Sequence, residues 1–391
     1  MSRRQTILRW LMAGLDAVDP EQLTHDALQG RTGPMTVLAI GKAGAGMCRG
    51  AAAAVGHVDG LVVTSHHDMV PESVELRVGD HPFPGEASLQ AGLRAMEVAT
   101  RADVALISGG GSSLCEVPAE GMTLALMADV YRKLLDAGTG ISDVNLVRSH
   151  LSRIKGGGLG HLPTYVLSDV GGAGPEVVSS GPTIGIAPDP DRALRLMREV
   201  GIPVDDTIEK VVRSRVFDVD PNPDVVVLAD GRSAAKAVAL AALEDGVGAR
   251  VSQEWIEGDF GESLVGLLTS ADRGVTVAAG EPSVPAGSQG RGGRNTHAAL
   301  AAAEMIQDTD LWFATLATDG VDGRSGSAGA IVNGGTLSRG GNPTSALARF
   351  DSAAYLETTG DLIVTGPTGT NVADLWMIWK PEDGPEPILS V

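Results

Sequence analysis

The sequence predicts an α/β protein made of two α/β domains with largely parallel sheets and an active-site cleft between the domains. Three observations carry this. Short apolar runs empty into glycine-rich loops: Met35-Thr-Val-Leu-Ala-Ile40 into Gly41-Lys-Ala-Gly-Ala-Gly46, Val104-Ala-Leu-Ile107 into Ser108-Gly-Gly-Gly-Ser-Ser113, and Leu311–Ala317 into Thr318-Asp-Gly-Val-Asp-Gly323. Such runs suit strands covered on both faces that end at the sheet edge where ligands bind. They alternate with helical patterns, and 391 residues at 43% hydrophobic exceed what one core usually supports. Aromatics are only 3%, so the cores must be aliphatic.

Residues 4–18 read as a helix with Ile7, Leu8, Leu11 and Leu15 on one stripe. A strand over 35–40, a helix over 45–55 and a strand over 61–64 follow. His81-Pro-Phe-Pro-Gly85 reads as a turn, 86–100 as a helix, 103–107 as a strand, 121–137 as a helix and 164–168 as a strand. The acidic, proline-rich stretch 218–224 reads as a linker, dividing the chain into domains 1–217 and 224–391. Beyond it come strand 224–229, loop 230–233, a helix to Leu243, strand 275–279, a loop over 280–294, helix 296–306, strand 311–317 and strands near 362–365 and 375–379. The last of these is left open to packing on the first domain.

A net charge of −19 argues against nucleic acid or an anionic membrane as partner, since both need a basic face. No segment reaches the roughly 20 apolar residues of a membrane span. Two cysteines beside glycine loops, Cys48 and Cys115, fit a reduced cytoplasmic compartment, with Cys48 a small buried helix residue. A homodimer is left open.

Glycine at a strand end lets backbone N–H groups approach an anion closely. Gly41–Gly46 has neither the dinucleotide nor the P-loop spacing, so a plain turn and a phosphate cradle both remain. Lys42 would suit a carboxylate or phosphate there. In Gly109, Gly110, Gly111, Ser112 and Ser113 three glycines suit a close approach to an anion or a plain structural turn, and the serines could donate to phosphate oxygens or cap the next helix. Arg148, His150, Arg153 and Lys155 cluster in an otherwise acidic chain, either as a helix end or as a functional loop. Arg294 could make a two-point contact with an anion. Asp319 and Asp322 suit Mg²⁺, a general base or a simple Asp-Gly turn. Asp169 is a further carboxylate at a strand end.

In order and number these motifs resemble the glycerate 2-kinase family, whose C-terminal part is the MOFRL domain. The resemblance runs through Gly41–Gly46, Gly79-Asp-His-Pro82, Ser108–Ser113, Asn145–Gly158, Ser168-Asp-Val170, Ser180-Gly-Pro-Thr183, Gly292-Gly-Arg-Asn295, Thr318–Gly323 and Thr365–Asn371. It implies ATP-dependent phosphorylation of the 2-hydroxyl of D-glycerate with Mg²⁺. It further implies Lys42, Arg294, Asp319 and Asp322 as catalytic residues and Gly109–Ser113 with Lys155 as nucleotide or phosphate contacts. Arg148, Asn295 and Arg324 would then meet the acid, and Asp169 and Asp319 the metal.

The sequence departs from the family pattern at three loops. Gly171-Gly-Ala-Gly174 stands where Pro-Gly-Asp-Asp is common, Thr296-His297 where Gln-Glu is usual, and Arg324-Ser-Gly326 where Pro-Thr-Asp is usual. A kinase for a related small sugar or hydroxy acid, or a catalytically silent nucleotide-binding homologue, are the alternatives these changes raise. Some family members carry the label hydroxypyruvate reductase; the missing dinucleotide fingerprint argues against an NAD(P)-dependent reductase.

Overall fold

A computed structural model describes residues 1–215, 224–284 and 290–381. Residues 218–223 of the expected linker lie outside the described residues. The chain forms two compact units, each around one six-stranded sheet.

The first unit holds Asp19–Ser168 and Ala173–Leu228. Its strands are β1 (Met35–Ile40), β2 (Val58–Thr64), β3 (Val74–Val78), β4 (Val104–Ser108), β5 (Thr164–Leu167) and β6 (Val225–Ala229), in the order β3-β2-β1-β4-β5-β6. The ladders β2–β3, β1–β2, β1–β4 and β4–β5 are parallel. β4 is buried along its whole length, as an apolar run without alternation requires. Beside the sheet, helices Leu124–Asp136, Ile141–Leu151, Pro190–Glu199 and Asp206–Ser214 enclose their own core of Met127, Tyr131, Leu134, Val147, Leu194 and Val211. The sequence reading gave only the first of these as a helix; the last two start at an Asp N-cap with Pro or Asp in the first turn.

The second unit holds Met1–Val18, Asp169–Gly172 and the chain from Ala229 onward. Its strands are β7 (Ala249–Val251), β8 (Gly274–Gly280), β9 (Trp312–Ala317), β10 (Gly329–Asn333), β11 (Leu362–Ile363) and β12 (Asp374–Lys380), in the order β11-β10-β9-β12-β8-β7. The α/β class is borne out, but this sheet is mixed. Only β7–β8 is parallel, while β12 runs antiparallel to β8 and β9, and β10 antiparallel to β9 and β11. The last strand, left open to packing on the first domain, is instead central here, because Leu375, Trp376, Met377 and Ile378 are all fully buried between β8 and β9.

The N-terminal helix Arg3–Asp16 also belongs to this unit rather than to a domain 1–217. Its buried face is the cause: Ile7, Trp10, Leu11 and Gly14 point inward, while Leu8 of the expected stripe is exposed. Trp10 is fully buried, meets the Trp379 ring at 5.1 Å and donates its indole N–H to Asp245 at 2.8 Å. Arg4 closes the same face on the Leu362 carbonyl at 2.9 Å.

Candidate active site

In the first unit the expected loops meet at the carboxyl ends of β1 and β4. The Lys42 N–H donates to the Gly109 carbonyl at 2.9 Å and the Ala43 N–H to Ser108 Oγ at 3.0 Å. Gly41 has φ +126°, and a Cβ there would lie 2.3 Å from the Ser108 carbonyl oxygen, so only glycine permits this approach. Gly110, at φ +87°, lies against the Lys42 methylenes, and the helical turn Gly111–Leu114 follows.

This loop is held from behind by Ser179 and Ser180. Ser179 Oγ accepts from the Gly111 N–H at 2.9 Å and donates to the Ser108 carbonyl at 2.6 Å. Ser112 Oγ and Ser180 Oγ are 2.9 Å apart, and Ser180 Oγ lies 2.8 Å from Asn145 Oδ1. Ser179 and Ser180 take left-handed φ values of 53° and 61°, costly for non-glycine residues and persistent only where surroundings over-determine them. In the sequence this run enters only as part of the family resemblance, without a role for it. Nothing in residue type alone marks it as the support of a loop about 70 positions earlier.

The basic cluster divides. Arg148 is buried, stacks on the Tyr131 ring at 5.1 Å and reaches Asn145 Oδ1 with Nη1 at 3.4 Å. Lys155, expected to contact phosphate, is enclosed instead. Its ammonium donates to the Cys115 carbonyl at 3.0 Å and pairs with Glu116 at 3.5 Å, both side chains being essentially inaccessible. Burial lowers the lysine and Glu116 opposes the shift. Glu116 also takes Tyr131 Oη at 3.1 Å and the Ser152 hydroxyl. His150 is structural too, with Nδ1 2.8 Å from the Val212 carbonyl.

In the second unit the two aspartates of the Thr318 loop differ. Asp322 is buried, and its two oxygens accept the Asn295 N–H at 2.9 Å and the Thr296 N–H at 2.8 Å at the start of helix Arg294–Met305. Burial raises its carboxyl, opposed first by those backbone donors. It thus serves as a helix-terminus acceptor, with one backbone N–H on each oxygen. Asp319 stays half-buried, accepts the Val321 N–H at 2.9 Å and lies on the loop packed against Gly366–Asn371, where a Cβ on Gly320 would strike the Gly366 carbonyl at 2.0 Å. Asp169 takes Asn371 Nδ2 at 3.1 Å on that same loop.

Arg294 is held at two points by Asp374 and by Glu281 at 2.7 Å, neither of which the motif reading singled out. Asn295, expected at substrate, is fully buried and accepts the Trp376 indole N–H at 3.0 Å, so it belongs to the core. Arg324 is exposed. Two departures from the family pattern have a local cause. A side chain at Gly171 would overlap the Trp255 indole at 1.8 Å, and His297 fills an apolar slot between Phe350, ring stacked at 4.2 Å, and Phe260.

The MOFRL family description matches residues 274–374, and a domain of unknown function, DUF4147, matches residues 6–216. A glycerate 2-kinase of Pyrococcus horikoshii is 30% identical over 95% of this chain and 96% of its own. The chain belongs to the glycerate 2-kinase (MOFRL) family. The D-glycerate 2-kinase of Thermotoga maritima is 29% identical over 96% of this chain and 97% of its own. The crystal structure of a Thermotoga maritima glycerate kinase superposes with a TM-score of 0.83 at 26% identity, covering 96% of this chain and 99% of that one. A protein of Agrobacterium vitis that carries a hydroxypyruvate reductase name is 34% identical over 96% of this chain and 94% of its own.

As in any member of this family, fold and site must be read separately. Among the described residues, Lys42 sits with the triple-glycine loop and Asp319 with the Gly366–Asn371 loop, each at a sheet edge. Cys48 and Cys115 are buried and unpaired, and burial pushes both thiols up to about 12, as expected of inert packing residues.

Proposed function

We propose that this protein transfers the terminal phosphoryl group of ATP to the 2-hydroxyl of D-glycerate, giving 2-phosphoglycerate, in a reducing cytoplasm. The observation that carries the reading is the lysine–glycine loop pair at the ends of β1 and β4, in a chain similar end to end to proteins named glycerate 2-kinase. Phosphoryl transfer asks a protein for positioning and charge neutralisation rather than covalent help. Lys42 would offset charge on the transferred group, with the glycine backbone in close approach to phosphate oxygens. Asp319 would orient the attacking hydroxyl.

Mg²⁺ accompanies the nucleotide in this reading. Asp322 is buried with a backbone N–H on each oxygen, so the half-buried Asp319 is the more accessible carboxylate of the pair for the ion. Asp319 fits it, with Asp169 as the second candidate, because Mg²⁺ takes one or two protein carboxylates and fills its shell with phosphate oxygens and water. When bound, the ion would screen the phosphate charges.

A coupled ADP-release assay with Mg·ATP across small hydroxy acids tests the proposal. D-Glycerate turnover is the expected result. Turnover confined to a related acid would move the substrate assignment, for which the exposed Arg324 of the altered 324–326 loop is the reason. Hydroxypyruvate reduction by NAD(P)H without ATP consumption would overturn it.

A further inference from the structure

The hydrogen-bond polarity of Ser112 is determined by three residues behind it. Asn145 Nδ2 donates to the Val177 carbonyl at 3.1 Å, which turns Oδ1 toward Ser180 and Arg148. Arg148 requires the same orientation, since a guanidinium has donors only. Asn145 Oδ1 is therefore purely an acceptor, and the Ser180 hydroxyl, 2.8 Å away, must give its proton to it. A hydroxyl has one proton. The 2.9 Å contact between Ser180 and Ser112 must then be bridged by the Ser112 proton, because two oxygens with no hydrogen between them would face lone pair to lone pair.

Asn145, Arg148 and Ser180 are all buried, whereas Ser112 is half-buried. Its outward side offers lone pairs alone. Ser113 is committed as well, its hydroxyl directed to the Gly110 carbonyl at 3.4 Å. The expectation that these serines donate to phosphate oxygens is thereby reversed.

We infer that Ser112 is a specificity residue that accepts a hydrogen bond from an alcohol O–H of the bound ligand. Phosphate and carboxylate oxygens are acceptors and would meet it unfavourably; a hydroxyl donor is complementary, and a ligand lacking it leaves the oxygen unpaired. The inference rests on the kinase reading only for its choice of ligands. Two sources supply such a hydroxyl: the non-reacting hydroxyl of the acid, or the ribose of the nucleotide.

Isothermal titration calorimetry separates them without needing turnover. D-Glycerate is compared with D-lactate, which lacks the 3-hydroxyl, and ATP with 2′-deoxy-ATP and 3′-deoxy-ATP, on the wild type, Ser112→Ala and Ser180→Ala. In one arm, Ser112→Ala should weaken the hydroxylated ligand roughly 10-fold and leave its deoxy form unchanged. Ser180→Ala should also reduce that discrimination, although Ser112 keeps its oxygen, because its proton is then free to turn outward. A steric role for Ser112 would not produce this second effect. Equal loss for hydroxylated and deoxy ligands, no loss in either arm, or a wild type that treats each pair alike would overturn the inference. A protein that binds D-glycerate with this discrimination yet releases no ADP would count against the kinase reading alone.

Discussion

Arg294 meets Asp374 through two nitrogens, Nε at 2.5 Å and Nη2 at 3.2 Å, while its Nη1 reaches Glu281 at 2.7 Å. One cation thus faces two carboxylates. Their joint field holds Arg294 firmly protonated, while burial pushes Asp374 up to about 6 despite the arginine. Asp374 is enclosed and Glu281 about half exposed, so Glu281 is the partner an incoming anion would displace. Glu281→Gln should lower KM for the acid several-fold with kcat nearly unchanged, in steady-state kinetics at fixed Mg·ATP. An unchanged or raised KM would show that Glu281 positions Arg294 instead of competing with substrate.

Asp319 and Asp322 are three residues apart yet should respond oppositely to the same substitution. Asp322→Asn weakens the acceptors of two buried backbone N–H groups at a helix start, a loss of about 1–2 kcal/mol, and should lower the melting temperature by several degrees. Asp319→Asn should leave melting unmoved and reduce kcat by roughly 100-fold or more if it orients the hydroxyl. Thermal melts and kinetics on the two variants, side by side, decide this. A melting loss at Asp319 with intact kcat would remove its catalytic role.

The strand-to-glycine-loop pattern was legible because a buried strand must be continuously apolar and a close backbone approach must be glycine. Both constraints act on neighbours in sequence, and they place Lys42, Gly110 and Asp319 at strand ends. The partners that hold the charged residues in place were not legible. Glu281 and Asp374 reach Arg294 from 13 and 80 positions away, and Glu116 reaches Lys155 across 39. Such pairings depend on sheet order, and a sheet that inserts β12 between β8 and β9 follows from no local rule. The N-terminal helix shows the same limit, since its stripe announced a buried face without naming Trp10 or the sheet it packs beside.

His297 supplies a pH test. Burial between Phe260 and Phe350 pushes its imidazole down to about 4 from the ordinary 6.5. The unfolded chain therefore binds more protons than the fold as the medium is acidified. This contribution to stability is complete above about pH 6.5 and is lost as pH falls toward 4. Asp374, raised from 3.8 to about 6, acts with the opposite sign in the overlapping window, where stability is lost as pH rises. Comparison with His297→Leu isolates the first effect. Its melting temperature should fall less than that of the wild type between pH 6.5 and 4.5, and parallel profiles would refute the assignment.

Lys42 and Lys155 look alike in the sequence, each a cation in a glycine-rich loop, but Lys42 is half-buried and Lys155 fully enclosed. Lys42 lies along Gly110 at the end of β1, so Lys42→Ala should cut kcat/KM by several orders of magnitude and leave the melt nearly unchanged. Lys155→Ala strands Glu116 as a buried charge without its cation, which costs about 3–5 kcal/mol and should appear as a lower melting temperature or poor folding. The pair Lys155→Met with Glu116→Gln should recover much of that loss, because removing both charges removes the unpaired one. If the double variant regains stability together with activity, Lys155 is structural. If it regains stability and stays inactive, the ammonium has a part in the reaction that its burial conceals.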